Sequence, residues 1–309
     1  MGSSVEETPE GGTDPGPVLV LESTRHHRRP DSALVLLGHG STLAADSSRP
    51  VREHAARMRR DGLFAEVATG FWKEQPAFCG CLRQVLAPRV FIVPLFVSEG
   101  YFTEEIIPRE LGMIDSSGRL MRHRRIGTQD VHYCHPVGTH ASMAQLILER
   151  AREAMTHSPG SAGLPPDPGR TSLFIAGHGT GNNENSRKSV EIQASEIGRL
   201  GIYAGVHAVF MEEAPRIEDC IRTCPTEDLV VVPFFMSDGL HSQEDIPVLL
   251  GESSEAVASR MRSGLPTWIN PTVREGRRVW YTPGIGSDPR LLEIVLQRVS
   301  EAEAEALMG

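Results

Sequence analysis

Cysteine is scarce in this sequence and falls in no pattern that builds a site. Cys79, Cys81, Cys134, Cys220 and Cys224 are an odd set without the double pair of a zinc ribbon or the four-thiolate spacing of an iron–sulfur cluster. The same count excludes a disulfide framework and leaves reduced thiols in a cytoplasm as the expectation. Cys79-x-Cys81 and Cys220-x3-Cys224 fall in corresponding predicted helices and read as packing. No apolar run approaches the ~18 residues a membrane span requires, and the acidic opening MGSSVEETPEGGTDPGP carries no apolar signal core, so neither membrane insertion nor secretion is expected. Positive charge is in deficit. A formal net charge of -9 excludes a general nucleic-acid binder, whose footprint is basic.

What the chain does contain is a sentence written twice. Phe91 to Gly112, FIVPLFVSEGYFTEEIIPRELG, and Val230 to Gly251, VVVPFFMSDGLHSQEDIPVLLG, share 10 identities in 22 positions at a constant offset of 139. The same offset relates His39 to His178, Phe71 to Phe210 and Pro76 to Pro215. A chain of 309 residues has room for two domains, and the duplication supplies them. One exchange inside the repeat bears on chemistry: His241 of the second copy is Phe102 in the first.

Residues 1–31, rich in Gly, Pro, Glu and Arg, read as a disordered leader, with His26 and His27 in its basic end. Repeat 1 spans 32–157, a Pro/Gly-rich linker 158–171, and repeat 2 172–309. Within each repeat, apolar β-rich runs alternate with helix-period segments: ALVLLGHGST, a helix near Ser48 to Arg60, a strand Ala65 to Phe71, a helix near Ala77 to Leu86, a strand Phe91 to Phe96, then VHYCHPVG and a helix to Met155. The second copy repeats that order, ending in a helix from Pro289 to about Leu307. Such alternation predicts an α/β fold: two tandem repeats, each a parallel four-stranded sheet with helices on both faces, and an active cleft between them.

In a parallel sheet the ligand crevice lies beyond the carboxyl ends of the strands. Repeat 2 places His178 after its first strand, Glu212 and Glu213 after its second and His241 after its third. Two imidazoles with a carboxylate suit a first-row divalent ion, and three protein ligands leave open positions of the kind a working site needs. Either glutamate satisfies the pattern. Repeat 1 offers His39 and Glu74, but Phe102 cannot bind a metal, so His39 is a candidate proton acceptor or auxiliary ligand. Ser186, Arg187 and Lys188 at a helix start, with the turn Gly179 to Gly181, are candidate anion contacts. Basic insertions at equivalent places, Arg122/Arg124/Arg125 and Arg274/Arg277/Arg278, are further ones. A phosphate-transfer reading of Gly-His-Gly would want an arginine beside the histidine, and neither copy supplies it. A non-enzymatic carrier of metal stays open.

The GHGS/GHGT strand ends, the F-x-x-E-x-P segments and the VPxFxxxGxHxxxDIP run together resemble the class II chelatases of tetrapyrrole synthesis, in the long, internally duplicated form of the sirohydrochlorin cobaltochelatase or CbiX-like family. The resemblance covers about residues 33 to 300. It implies a lyase-type chelatase that inserts a divalent ion as substrate, Co2+ first and Fe2+ or Ni2+ otherwise, into sirohydrochlorin or a related tetrapyrrole, with no organic cofactor. It also implies His178 and His241 as metal ligands and catalytic residues, and it lays the Phe-x-Glu carboxylate on Glu212 with Glu213 beside it. Ser186, Arg187, Lys188 and Arg274 become the candidate contacts for the substrate's eight carboxylates. A fused pair of repeats makes its own cleft, so a monomer suffices, with a homo-oligomer as the other possibility. Phe102 departs from the family pattern and argues against a second complete site.

Overall fold

The computed structural model describes residues 27–42, 45–157, 165–179, 184–237 and 239–308. Most of the predicted leader including His26, half of the linker, and Thr180 and Gly181 of the candidate turn lie outside the described residues. Two sheets form, each with the predicted parallel strands. In the first half these are β1 (Arg29–Gly38), β2 (Phe64–Phe71), β3 (Arg89–Pro94) and β5 (Gln129–Tyr133), to which β4 (His123–Ile126) adds an antiparallel edge, giving the order β2-β1-β3-β5-β4. In the second half β6 (Thr171–Gly177), β7 (Gly205–Phe210), β8 (Asp228–Pro233) and β10 (Arg277–Tyr281) take β9 (Thr272–Arg274) as their edge, in the order β7-β6-β8-β10-β9.

Each sheet therefore has five strands where four were expected. The fifth comes from the basic insertion, which doubles back through the turns Gly127–Thr128 and Glu275–Gly276 to pair with the strand that follows it. Strands of three and four residues, TVR and HRRI, with one apolar residue each, carry too little apolar patterning to read as strands by themselves. The helices are α1 (Arg49–Asp61), α2 (Phe78–Cys81), α3 (Ile107–Leu111), α4 (Met143–Thr156), α5 (Glu184–Arg199), α6 (Cys220–Thr223), α7 (Ile246–Leu249), α8 (Ser254–Arg262) and α9 (Leu291–Met308). Helix α8 lies in the longer second insertion, where Ser253 caps it by accepting from the Ala256 amide at 3.2 Å.

The two halves exchange their last helices. Helix α4 leaves the first half to pack on β8 and α5 of the second, and α9 returns to pack on β3 and β5 of the first. Apolar residues of both helices and both sheets, among them Leu146, Ile147, Val230, Val232, Ile294, Val295, Phe91 and Val93, form one continuous buried cluster. The outer faces hold separate cores around Phe78 and Ile107 in one half and Ile217 and Ile246 in the other. Burial pushes the Cys81, Cys134 and Cys220 thiols up to about 12, so they behave as small apolar groups, whereas Cys79, read from the sequence as packing with Cys81, is exposed.

Polar ties reinforce the seam. Asp288 is fully buried and receives Arg150 of α4 at 2.8 Å and Arg290 at 2.6 Å. Burial pushes its carboxyl up, but the hydrogen bond from Arg290 and the charge of Arg150 outweigh that and hold it below the usual carboxylate range. His54 on α1 donates from Nε2 to the Gly286 carbonyl of the other half at 2.7 Å. Burial pulls His54 below the ordinary imidazole value of 6.5, more than the Gly286 carbonyl raises it.

A depressed native pKa means that the unfolded chain takes up the proton first. His54 therefore contributes stability that is present above pH 6.5 and lost as pH falls below it, and Asp288 adds a second loss below 3.8. His54→Gln keeps a donor for Gly286 and has no proton to gain; Gln193 already occupies the matching place in the second half. Melting temperatures measured from about pH 8 to about pH 5 should fall less steeply for His54→Gln than for the parent. Parallel slopes would remove His54 from the account.

Candidate metal centre

Both first strands end in Gly-His-Gly, and the geometry explains the glycines. Gly40 and Gly179 adopt φ of 67° and 63°, the left-handed region where L side chains are strained. A Cβ on Gly177 would sit 2.6 Å from Val190 of α5, so the strand end runs hard against the following helix. The chain turns at once, and His39 and His178 project into the space between the two halves, where both line one cavity of about 1020 Å3. Phe96, Phe102, Phe234, Phe235, Val51 and Val190 supply its apolar wall. The volume is at the upper end of that of small-molecule sites, which run to about 1,000 Å3.

The third strands lead into the second ligand position. After β8 the chain passes Ser237 and enters a π-helical turn, His241–Asp245; after β3 the matching turn is Tyr101–Ile106. Single π turns inside helical segments frequently mark functional positions. A buried tyrosine pins each one: Tyr281 donates to the Ser242 carbonyl at 2.6 Å, and Tyr133 to the Thr103 carbonyl at 2.8 Å. Gly286 and Gly138 brace the preceding loops, donating to the Phe235 and Phe96 carbonyls at 2.9 and 3.0 Å. A Cβ on Gly286 would meet the Met236 carbonyl oxygen at 2.2 Å, so only glycine permits that approach.

These anchors bring His241 against His178, ring centroids 5.1 Å apart and nearly perpendicular at 82°. In the first half His39 meets Phe102 in almost the same arrangement, 5.0 Å and 81°. The geometry is thus duplicated, while the second imidazole is present once. His241 Nδ1 is held by Asp245 Oδ2 at 2.6 Å, and His178 Nδ1 lies 3.3 Å from the Gly179 carbonyl and 3.8 Å from Glu212 Oε2. With Nδ1 engaged on both rings, the lone pair of each Nε2 faces outward from these contacts.

The structure separates the two glutamates that the sequence left open. Glu212 is mostly exposed and faces His178. Glu213 turns away: its Oε2 takes Arg187 at 3.1 Å, and its stem lies where a Cβ on Gly179 would be, 2.8 Å from Cγ. Its counterpart Glu74 likewise secures the loop after His39, accepting from the Ser41 amide at 2.8 Å and the Ser48 hydroxyl at 2.6 Å. At the position of Glu212 the first half carries Lys73, so it lacks both the acid and the second imidazole.

Of the candidate anion contacts, Ser186 lines the cavity. Arg187 is engaged by Glu191, Glu213 and the Ala214 carbonyl, and Lys188 by Glu184. Arg274 pairs with Glu252 at 2.9 Å and stacks on Trp268, with the basic insertion in the edge hairpin; it is not part of the cavity wall. Arg122 reaches Glu104, a cavity residue, at 3.1 Å. Sequence reasoning missed Tyr281, although VHYCHPVG and VWYTPGIG repeat the tyrosine, and missed the phenylalanine wall, although Phe96 and Phe235 lie in the repeated sentence.

The chain matches the CbiX family over residues 33–154 and 172–302, one match to each half. It belongs to the CbiX family. A probable sirohydrochlorin cobaltochelatase of Halobacterium salinarum is 41% identical over 283 residues, which are 88% of this chain and 92% of that protein. The sirohydrochlorin cobaltochelatase of Methanopyrus kandleri is 29% identical over 140 residues, 43% of this chain and 97% of that one, so it is about one repeat long. Among solved structures, a multi-domain Deinococcus radiodurans protein described as structurally similar to chelatases, with two additional domains, aligns with a TM-score of 0.67 and 28% identity, covering 87% of this chain and 54% of that one. The CbiX-family chain thus spans about half of that protein. SirB from Bacillus subtilis, solved with Fe3+, shares the fold at a TM-score of 0.60 and 16% identity, covering 89% of this chain and 96% of that one.

The tyrosine anchor of this CbiX-family chain has a measurable weight. Removing the Tyr281 hydroxyl leaves the buried Ser242 carbonyl without its donor, a loss of about 1–3 kcal/mol. Tyr281→Phe should lower the urea unfolding free energy by that amount, with Tyr133→Phe close to it. An unchanged midpoint would mean that other contacts hold the π turn.

Proposed function

We propose that this protein inserts a divalent metal ion, Co2+ in the first place, into sirohydrochlorin or a closely related tetrapyrrole. The observation that carries the reading is the perpendicular His178–His241 pair beside an interdomain cavity of about 1020 Å3. The Halobacterium relative, 41% identical over nearly the whole length, is named for this reaction with cobalt; Fe2+ and Ni2+ suit the same donors. The apolar wall suits the faces of a flat macrocycle. Ser186, Ser98, Ser237 and Asn185 in the lining offer donors for its carboxylates.

The ion is the substrate. On this reading His178 and His241 hold it through Nε2, Glu212 approaches from the side of His178, and Glu213 stays with the loop. Asp245 orients His241, as carboxylates commonly orient ligating imidazoles from the outer shell. Insertion replaces protein ligands by pyrrole nitrogens and releases two N–H protons. His39 donates from Nδ1 to the Gly40 carbonyl at 2.8 Å, which leaves a basic Nε2 in the same cavity to accept one of them. Neutral imidazoles are required for ligation and for proton acceptance alike, so acid should suppress the reaction. One chain supplies both walls, so a monomer is sufficient, and no described helix is long and apolar enough to cross a membrane. Together with the unpaired, mostly buried thiols this favours a cytoplasmic enzyme.

Metallation of sirohydrochlorin by Co2+, followed by absorption against the spontaneous control, is the direct test. The parent should accelerate it, His178→Ala and His241→Ala should each fall to near the spontaneous rate, and Asp245→Asn should lose about 10–100-fold. A His241→Ala protein as fast as the parent would overturn the assignment, and tight metal binding without acceleration would make the protein a carrier. The first half allows a converse experiment. Phe102→His with Lys73→Glu should add one equivalent of bound Co2+, because the ring geometry already matches that of the second half; no gain would show that the loop around His39 differs in more than these side chains.

A further inference from the structure

A second group of metal-type donors lies on the edge hairpin of the first sheet, away from the cleft. The antiparallel register places His123 of β4 opposite His132 of β5. Asp130, two residues before His132, shares its face of the strand. The imidazoles stack at 4.6 Å and 16°. Asp130 lies under both, Oδ1 2.5 Å from His123 Nε2 and Oδ2 3.4 Å from His132 Nε2. One ligand atom from each of the three residues falls within 4.8 Å of the other two. None of them lines the cavity between the halves.

Two observations single this cluster out from an ordinary surface ion pair. The first is that His132 is only 4% exposed, and its Nε2 is buried without a hydrogen bond. Buried polar atoms nearly always have partners, and here the atom without one points at a carboxylate and a second imidazole. The other is the contrast with the second sheet. There Arg278 stands at the place of Asp130 and Trp280 at that of His132, stacked at 5.4 Å, and the register carried one step on puts Pro271 opposite Trp280. The hairpin forms with none of the three donors, so the fold itself does not demand them.

From these donors we infer that His123, Asp130 and His132 form a second divalent-metal site, built for a first-row ion such as Zn2+ or Co2+, that clamps the β4–β5 edge. Two imidazole nitrogens and one carboxylate oxygen are the donor set of such ions, whereas Mg2+ and Ca2+ take oxygen. Bonds of about 2.1 Å in a tetrahedral arrangement put ligand atoms about 3.4 Å apart. The His132–Asp130 pair already has that separation, and the His123–Asp130 hydrogen bond opens by about 1 Å to admit the ion. His123 stands at the exposed end, so water or a fourth donor can complete the shell.

The site does not depend on the reading of the cleft, and one experiment separates the two. Co2+ is titrated into the full-length protein by calorimetry, with the visible absorption of bound Co2+ as a second readout. The parent should take up one equivalent at the hairpin besides that at the cleft, and His178→Ala/His241→Ala should keep the hairpin equivalent. His123→Ala, at a half-exposed position, and Asp130→Asn should each remove one equivalent in either background. They should also abolish the rise in melting temperature that Zn2+ gives the double variant. Unchanged stoichiometry in both hairpin variants would overturn the site, and a parent whose whole uptake vanishes with His178 and His241 would do the same. If the cleft reading alone fails, the parent binds a single equivalent and loses it on His123→Ala.

Discussion

The seam where the two halves exchange their final helices is the constraint on which the rest of the molecule depends. Each sheet alone would leave one apolar face open, because α4 and α9, the helices that would cover the faces lined by Phe91 and Val230, belong by sequence to one half and pack on the other. Burial of that face is non-directional and scales with area, so it brings the halves together without setting their register. Register comes from the polar ties at its margin, with Asp288 held between Arg150 and Arg290 and His54 reaching Gly286. Gly286 stands at two junctions at once. Its carbonyl takes His54 from the other half, while its amide braces the loop after β8 that leads to His241. Assembly of the halves and placement of the second imidazole therefore share one residue.

Within that frame the cleft is a duplicated scaffold with unduplicated chemistry. The rings at 39 and 102 meet at 5.0 Å and 81°, and those at 178 and 241 at 5.1 Å and 82°, so the backbone, the π turn and the tyrosine below it have been kept in both halves. Two exchanges fall on the candidate metal donors: phenylalanine for His241 and lysine for Glu212. A carboxylate replaced by an ammonium and an imidazole by a benzene ring both work against cation binding. Had the first half lost its chemistry through relaxed packing, the ring geometry would have drifted as well.

Much of this was legible in the sequence, for reasons that differ from element to element. The central parallel strands β1, β3, β6 and β8 are short, mostly buried apolar runs ending in glycine or proline, and the 139-residue offset fixed which positions correspond. The histidines at strand ends followed from the rule that crevices open at the carboxyl edge of a parallel sheet. What the sequence hid was non-local. The amphipathic pattern of α4 and α9 says that one face is buried but not on which sheet. The edge strands β4 and β9 draw their order from partners, not from their own composition. Glu212 and Glu213 are adjacent and chemically identical, and they part only because Gly179 leaves room for the stem of Glu213 beneath the loop. Arg187 looked free at a helix start, yet three acceptors hold it.

The asymmetry has a physical logic if a flat macrocycle is what the cleft receives. A metal enters such a ring from one face, and the ring can take a single ion, so two facing metal sites would compete for one act of insertion. A second cationic centre on the opposite face would also repel the first across a thin, apolar gap, where charges are poorly screened. An aromatic wall on that face costs nothing of the kind: Phe102, stacked at 27° on Phe96, offers a flat surface against which the ring can lie. His39 beside it is then placed for what the metal-free face still needs, a base for protons displaced from the pyrrole nitrogens. Fusion of two repeats in one chain is what lets the two faces diverge, since a symmetric pair of identical subunits would have to carry Phe102 and His241 at the same position.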